Sequence, residues 1–349
     1  GLWKQGLKVT EIVRILSRGR KWFYHWKARF EKEGKAGLLD RSRRPRRFYR
    51  PTEPALVQKI IQIRKKLERD RKKGRGFTGI GAEAIAWEMK QEGLRNIPAL
   101  RTIARIIQRE GMTRKKKTSR SSSRRLPLMF PLPREAGEAQ ATDLVGPRYL
   151  KGPKGVTTFY SFHTIDRFAH APVASQHPDK SAHSLINHLI HHAWKGLGVP
   201  YRWQIDNEMA ALGSPITHPF SLSQVIRLAL LLGVQVIFLP EGEVGWNAEI
   251  ESFNGLWQER VLHRHYCPDL AALREKSLQF QEYPWFQKPH RSLNVAQHGT
   301  RFPGVLIQKF SRREIPASFS LKDYQDSKGN YRFPLARGRC IRGIRGQVT

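Results

Sequence analysis

The stretch ATDLVGP, residues 141–147, decides how the middle of this 349-residue chain is read. It is a short apolar run that carries one carboxylate, Asp143, and stops at Gly-Pro, the pattern of a buried strand closed by a turn. Downstream, VTTFYSFHTID (156–166) and HAPVASQ (170–176) read as two more strands around the turn RFA. SAHSLINHLIHHAWKGLG (181–198) reads as a helix, YRWQIDNE (201–208) as a strand ending at Asp206, and SLSQVIRLALLLG (221–233) as a helix. VQVIFLP (234–240) then forms a fifth strand, and WNAEIESFNGLWQERVLHRH (246–265) a helix carrying Glu249 and Glu251. Three antiparallel strands followed by helix-linked parallel ones predict an α/β core, a mixed five-stranded sheet with helices on both faces.

In such a sheet Asp143, on the first strand, lies beside Asp206 if the first and fourth strands pair, and Glu251 can reach both from a helix crossing the sheet. Three converging carboxylates repel unless divalent cations fill the gap, and hard ions such as Mg²⁺ favour oxygen donors. Two such ions about 4 Å apart polarise the attacking and leaving oxygens of a phosphodiester, so no nucleophilic Ser, Cys or His is needed. Each member has rivals. Glu249 competes with Glu251, but two residues apart on a helix they point to nearly opposite sides. Asp166 fits a turn role with a salt bridge to Arg167. Asn254, one turn after Glu251, suits either DNA contact or support of the acidic residues. His183, His188, His191 and His192 have no acidic or Cys partner nearby and read as exposed or sheet-packing residues.

Outward from this core the composition changes. Lys and Arg number 63 against 29 Asp and Glu, a formal charge of +34 with a pI near 10.8. A field of that size self-repels unless a polyanion neutralises it, which points to nucleic acid. Residues 1–125 hold 37 of the basic residues and 11 of the acidic ones, a net of +26 in the first third. Two Cys exclude a disulfide framework and a Cys-rich zinc site. No apolar run nears the roughly 20 residues that span a bilayer, and no signal-peptide core opens the chain. The start at Gly1 without Met suggests a fragment or a processed chain.

The first third reads as two helix-turn-helix units. In the first, Thr10 caps EIVRIL, a turn at Ser17-Arg18-Gly19 follows, and RKWFYHWKARFEKEG places Trp22, Phe23, Trp26 and Phe30 at helical spacing. Arg20, Lys21, Lys27 and Arg29 lie among them as candidate DNA contacts. In the second, the helix PALVQKIIQIRKKLERDRKK precedes GRGFTGIGAE. AEAIAWEMKQEG and ALRTIARIIQREG follow, with Ile103, Ile106 and Ile107 as a core stripe and Arg101, Arg105 and Arg109 beside it. Two linkers too basic and proline-broken for a core, RSRRPRRFYRP with Arg43 and Arg44 and KKKTSRSSSRRLPLMFPLP with Lys115 and Lys116, can track phosphates. The expected partition is 1–45 and 54–114 as helical domains, 46–53 and 115–133 as linkers, 134–305 as core, and 306–349 as the start of a small β-barrel, truncated at Thr349.

ATDLVGP, QIDNE and WNAEIESFNGLWQERV together resemble the three signature segments of DDE transposases in the retroviral integrase superfamily, bacterial insertion-sequence branch. GLKVTEIVRIL…KAGLLDRSRRP is similar to that branch's N-terminal helix-turn-helix, and WFQKPHRSLN (285–294) resembles its segment after the catalytic helix. The resemblance implies an RNase H-like fold with Asp143, Asp206 and Glu251 holding two Mg²⁺ or Mn²⁺ ions. It also implies cleavage at mobile-element ends, joining of the 3′-hydroxyl to target DNA, and a homo-oligomer on double-stranded DNA in the cytoplasm of a bacterium, at the nucleoid. The chain departs from the family in three ways. Forty-four residues separate Asp206 from Glu251, longer than usual. Glu208 replaces a frequent Gly. The Lys common after the catalytic Glu is missing, with Trp257, Gln258 and Glu259 in its place and Arg260 the nearest base. A non-catalytic DNA-binding protein is the alternative.

Overall fold

The computed structural model describes residues 2–40, 52–113, 132–153, 155–206, 222–239, 247–334 and 340–342. The linker candidates Arg43, Arg44, Lys115 and Lys116 lie outside them, as does Glu208. The chain divides into two compact units, Gly1–Glu53 and Pro54–Thr349.

In the first unit α1 (Val9–Ile15) and α2 (Arg20–Glu33) meet across a turn in which Ser17 takes a φ of 50°. Helix α1 starts before the expected cap. The Glu11 carboxylate accepts the Lys8 N–H (3.2 Å), so Thr10 falls inside the first turn. Ile12 and Phe23 are buried, while Trp22 remains 40% exposed. After Gly34 a 3₁₀ turn, Gly34–Leu38, folds back on α2, and a Cβ at Gly37 would lie 2.3 Å from the Arg29 carbonyl oxygen. Only glycine permits that approach.

The second unit begins with three helices, α3 (Pro54–Lys72), α4 (Ala82–Gln91) and α5 (Leu100–Arg109). Their apolar stripes meet in one cluster of Ile60, Ile63, Leu67, Ile85, Met89, Ile103, Ile106 and Ile107. Arg64, 8% exposed, ties the bundle together by donating to the carbonyls of Ile80 and Met112 and to Glu68. This set has its own core, yet it belongs to the same compact unit as the sheet.

The sheet contains β1 (Ala139–Gly152), β2 (Gly155–Asp166), β3 (Pro172–His177), β4 (Arg202–Ile205) and β5 (Gln235–Phe238). Their order is β3-β2-β1-β4-β5, with the first three antiparallel and β4 and β5 parallel to β1. This is the mixed five-stranded layout expected of an RNase H-like core. Strand β1 is longer than expected, because it runs past Gly-Pro through a bulge between Val145 and Arg148 and pairs with β2 as far as Gly152↔Gly155. The extra residue re-phases the alternation, so Arg148 and Leu150 face the side that Asp143 and Val145 face.

One sheet face is covered by α6 (Ala182–His188), α7 (Trp194–Leu197) and α8 (Gln224–Leu231), around Phe162, Trp194, Trp203 and Phe238. On the other lie α9 (Ala248–Trp257) and α10 (Leu270–Glu282), around Phe159, Phe253, Trp257 and Phe280. Helices α11 (Val295–His298) and α12 (Pro303–Lys309) follow. Of the residues expected to open a barrel, Leu321, Tyr331 and Phe333 join the larger apolar cluster of the core, and β6 (Cys340–Arg342) pairs parallel with β5 as a sixth strand.

Candidate active site

Strands β1 and β4 pair in parallel with Thr142 opposite Ile205, and Asp143 and Asp206 are the next residues on each strand. Asp143 is half-buried. Burial pushes its carboxyl pKa up, the Leu144 N–H and Asn254 pull it down, and the Asp206 charge adds a further push upward. Two acids that feel each other's charge where the parallel pairing of β1 with β4 ends offer hard oxygen donors.

Helix α9 crosses at this point. Its first turn carries Glu249 and Glu251, and the two diverge as their spacing demands. Glu249 pairs with His170, whose ring stacks on His290 at 4.1 Å between centroids. Glu251 is exposed. Among the described residues no group of three or more His, Cys, Asp or Glu is close enough to hold a metal ion. The structure therefore brings Asp143 and Asp206 together and leaves Glu251 outside a ligand cluster. The donor chemistry fits a divalent ion at the aspartate pair, and the third oxygen ligand is the part that is not assembled.

Asn254 sits one turn beyond Glu251 and is only 8% exposed. Its Nδ2 donates to Asp143 Oδ2 (2.6 Å) and its Oδ1 lies 2.6 Å from His163 Nδ1. With both amide ends engaged, Asn254 supports the acidic residue, and the expected DNA contact gives way to that role. A further turn along, Gln258 Oε1 accepts two hydrogen bonds from Arg148 (3.2 and 3.0 Å). Sequence reasoning missed Arg148, because only the β1 bulge turns it toward α9. Arg260, read as the nearest base to the acidic residues, points elsewhere. It donates to the Phe77 carbonyl (2.7 Å) on the loop between α3 and α4. Arg264 binds the Gly76 and Thr78 carbonyls there (3.1 and 3.0 Å), and Arg71 pairs with Glu259 (3.0 Å). The continuation of α9 thus clamps the three-helix bundle to the sheet.

Asp166 has the expected turn role but not the expected partner. It is fully buried and accepts the N–H groups of Gly137, Phe168 and Ala169, while Arg167 bonds to Gln204. His188 is buried against the sheet between Thr164 and Ser175, and His191 and His192 are exposed. Among the basic candidates, Arg20 and Lys21 are exposed on the first turn of α2, and Arg101 and Arg105 on α5. Lys27 is engaged within its own unit, 3.6 Å from Glu31 and 4.6 Å over the Trp3 ring.

The winged helix-turn helix family matches residues 2–54. No curated protein matches the chain. Among solved structures, the chain is similar to one in the simian T-cell lymphotropic virus intasome in complex with PP2A regulatory subunit B56 gamma. The TM-score is 0.38 and the identity 13%, over 69% of this chain and 73% of that one. The HTLV-2 integrase catalytic core domain in complex with magnesium aligns in its dimeric form with a TM-score of 0.33 and 14% identity, over 47% of this chain and 96% of that one. Its trimeric form aligns with a TM-score of 0.32 and 16% identity, over 49% and 97%. No helix among the described residues is long and apolar enough to cross a membrane.

Proposed function

We propose that this chain is a metal-dependent DNA transposase of the DDE type, which cleaves mobile-element ends and joins the freed 3′-hydroxyl to target DNA. The observation that carries the reading is the parallel pairing of the central strands β1 and β4, with Asp143 and Asp206 next after its last pair and Asn254 bonded to Asp143, in a chain of charge +34. Asp143, Asp206 and Glu251 would hold Mg²⁺ or Mn²⁺, two ions per site, which supply Lewis acidity to both oxygens of the scissile bond. Glu251, exposed on the first turn of α9, completes the set on engagement of DNA. Arg148, held by Gln258 on the same helix, offers a guanidinium to a strand phosphate.

Double-stranded DNA is the partner in this reading. Arg20 and Lys21 on α2 and Arg101 and Arg105 on α5 contact it, with Lys27, Arg43, Arg44, Lys115 and Lys116 adding phosphate affinity. In this reading the partition is the one expected from the sequence, including a small C-terminal β-domain from 306, the assembly is a homo-oligomer on DNA, and the location is the bacterial cytoplasm at the nucleoid. The test uses Asp143→Asn, Asp206→Asn and Glu251→Gln on a duplex recovered by selection from random DNA. Each substitution is expected to abolish cleavage and joining with Mg²⁺ while duplex affinity in chelator stays within about twofold, since metal ligands serve the chemistry and not the grip on DNA. Full strand transfer by any of the three overturns the reading. A second reading, a non-catalytic DNA-binding protein, is favoured by the missing three-acid group among the described residues. It predicts binding of the selected duplex with no nicks or joints from the parent chain.

A further inference from the structure

Asn254 does not stand alone behind Asp143. Its Oδ1 meets His163 Nδ1 (2.6 Å), His163 Nε2 meets Ser161 Oγ (2.8 Å), and Gln176 Nε2 donates to Ser161 Oγ (3.0 Å). Gln176 also donates to Ser277 Oγ (2.9 Å), which accepts from Trp257 Nε1 (2.8 Å). His163, Ser161, Gln176 and Ser277 are all buried, with His163 and Ser161 at 0% exposure. The His163 ring is wedged between Phe253 and Trp257, at 5.1 and 5.0 Å between centroids. Buried polar groups without partners are costly, so each atom in this row has its role fixed by the next.

Ionised Asp143 only accepts, so Asn254 must turn its N–H toward it and its carbonyl oxygen toward His163. His163 must then carry its proton on Nδ1 to donate to that oxygen. The ring is fully buried between Phe253 and Trp257, and a neutral imidazole that carries its proton on Nδ1 leaves Nε2 bare. Nε2 then accepts the Ser161 hydroxyl at 2.8 Å, a proton that also faces the Ser175 carbonyl oxygen at 3.3 Å, and Ser161 Oγ in turn accepts the Gln176 N–H. From Gln176 through Ser161 and His163 to Asn254 the donors run in sequence toward Asp143, an arrangement in which successive hydrogen bonds polarise one another, while the second Gln176 N–H anchors the row on Ser277.

We infer that His163 is a positioning residue of the acidic site, which by donating from Nδ1 locks the Asn254 amide in the one orientation that holds the Asp143 carboxylate toward an incoming cation. The inference rests on the proposed role of Asp143 as a metal ligand. Reversal of the amide would turn its carbonyl oxygen on the carboxylate, so the imidazole sets the sign of the contact as well as its place. Groups that orient a ligand in this way typically contribute 10–100-fold in metal affinity.

The test measures Mn²⁺ binding to the full chain, from the electron paramagnetic resonance signal of the free ion, in the parent, Asp143→Asn, His163→Leu, His163→Asn and Ser161→Ala. Asn places an amide N–H near the position of Nδ1, whereas Leu fills the space with no donor. His163→Leu is expected to weaken Mn²⁺ binding by about 10–100-fold and His163→Asn to recover most of that loss. Ser161→Ala keeps the ring and shifts affinity in the same direction by less, and it is the deciding variant should His163→Leu not fold. Duplex affinity in chelator stays at the parent value in all of them, which separates ligand positioning from general damage. Parental Mn²⁺ affinity in His163→Leu or, failing its folding, in Ser161→Ala, beside a loss in Asp143→Asn, overturns the inference and spares the functional reading. Parental affinity in Asp143→Asn overturns both.

Discussion

The chain contains two helical units of similar sequence character, and they are attached in opposite ways. The first, within Gly1–Glu53, buries Ile12 and Phe23, leaves Trp22 and Leu39 substantially exposed, and is a compact unit of its own. The second, α3–α5, closes a core of nine buried side chains and is fixed to the continuation of α9 through three carbonyls of its Gly-rich loop. Basic helices therefore fall into two sets: one within the compact unit Gly1–Glu53, the other in the same compact unit as the acidic residues.

The largest expected effect tests that division directly. Ile103 is fully buried where α5 meets α3 and α4. Ile103→Ala should cost about 2–5 kcal/mol through lost burial and the cavity left behind. Calorimetry should show it in the transition of the larger unit, whereas Ile12→Ala should lower only that of residues 1–53. A shift of both transitions by either variant would erase the distinction between the units.

Acid sharpens the same contrast, because the histidines with depressed pKa values all lie in the larger unit. Burial lowers His163 and His177 to about 4 and His290 to about 3. Between pH 4 and 6.5 the unfolded chain takes up protons that these rings refuse when folded, so stability is complete above about pH 6.5 and falls as pH drops. For His163 alone the span corresponds to about 3 kcal/mol. Asp166, raised to about 6 by burial, works against this by holding its proton longer when folded. Asp143 is raised as well, but burial also lowers His188, His192 and His265, so six histidines outweigh two carboxyls and the melting temperature of the larger unit should drop steadily from pH 7 to 4.5. A flat profile would mean that the rings are solvated.

What the sequence made legible follows from locality. The strands of the sheet stand out because their apolar runs are continuous and Gly-bounded, and the parallel register of β1 and β4 makes the Asp143–Asp206 neighbourhood foreseeable. Helical phase says only that Glu249 and Glu251 diverge, as they do, with Glu249 paired to His170 and Glu251 exposed; the preference for Glu251 comes from the family resemblance of its segment. The remainder depends on distant partners. His163 looks like any strand residue until α9, 91 positions later, presents Asn254. Arg148 faces the site because a bulge re-phases β1, and alternation counted through Gly146 and Pro147 would turn it away. Arg260 reads as the nearest base to the acidic residues where the family has Lys, yet its partner Phe77 lies 183 positions earlier. Nor could local pattern show that Cys340–Arg342, in the segment expected to begin a barrel, pairs with β5.

A smaller effect is expected where the bundle is clamped. Arg264→Ala removes donors to the Gly76 and Thr78 carbonyls, at a cost of about 1–3 kcal/mol. Arg260 and the Phe77–Phe280 ring contact (5.4 Å) keep the bundle attached. The expected result is faster protease cleavage between α3 and α4 with the core of each part intact, read from the sites cut in limited digestion. An unchanged digestion rate would show that the apolar contact alone carries the junction.

The smallest effect in free energy is the most telling for function. Arg101 and Arg105 are exposed on α5, in the same compact unit as Asp143, while Arg20 and Lys21 are exposed on α2 in the other. Each phosphate contact contributes about 0.9 to the slope of log affinity against log salt. Removing either pair to Ala should therefore flatten that slope by up to about 2. The two pairs should differ in what happens to the product. A helix in the same compact unit as the acidic residues sets where the strand lies across Asp143, so loss of Arg101 and Arg105 should spread the cut positions over neighbouring nucleotides. Loss of Arg20 and Lys21 should reduce yield at an unchanged position, because an independent unit contributes affinity without register. Cut positions mapped at nucleotide resolution decide the matter, and equal spreading from both pairs would mean that the clamp at Phe77 does not transmit register.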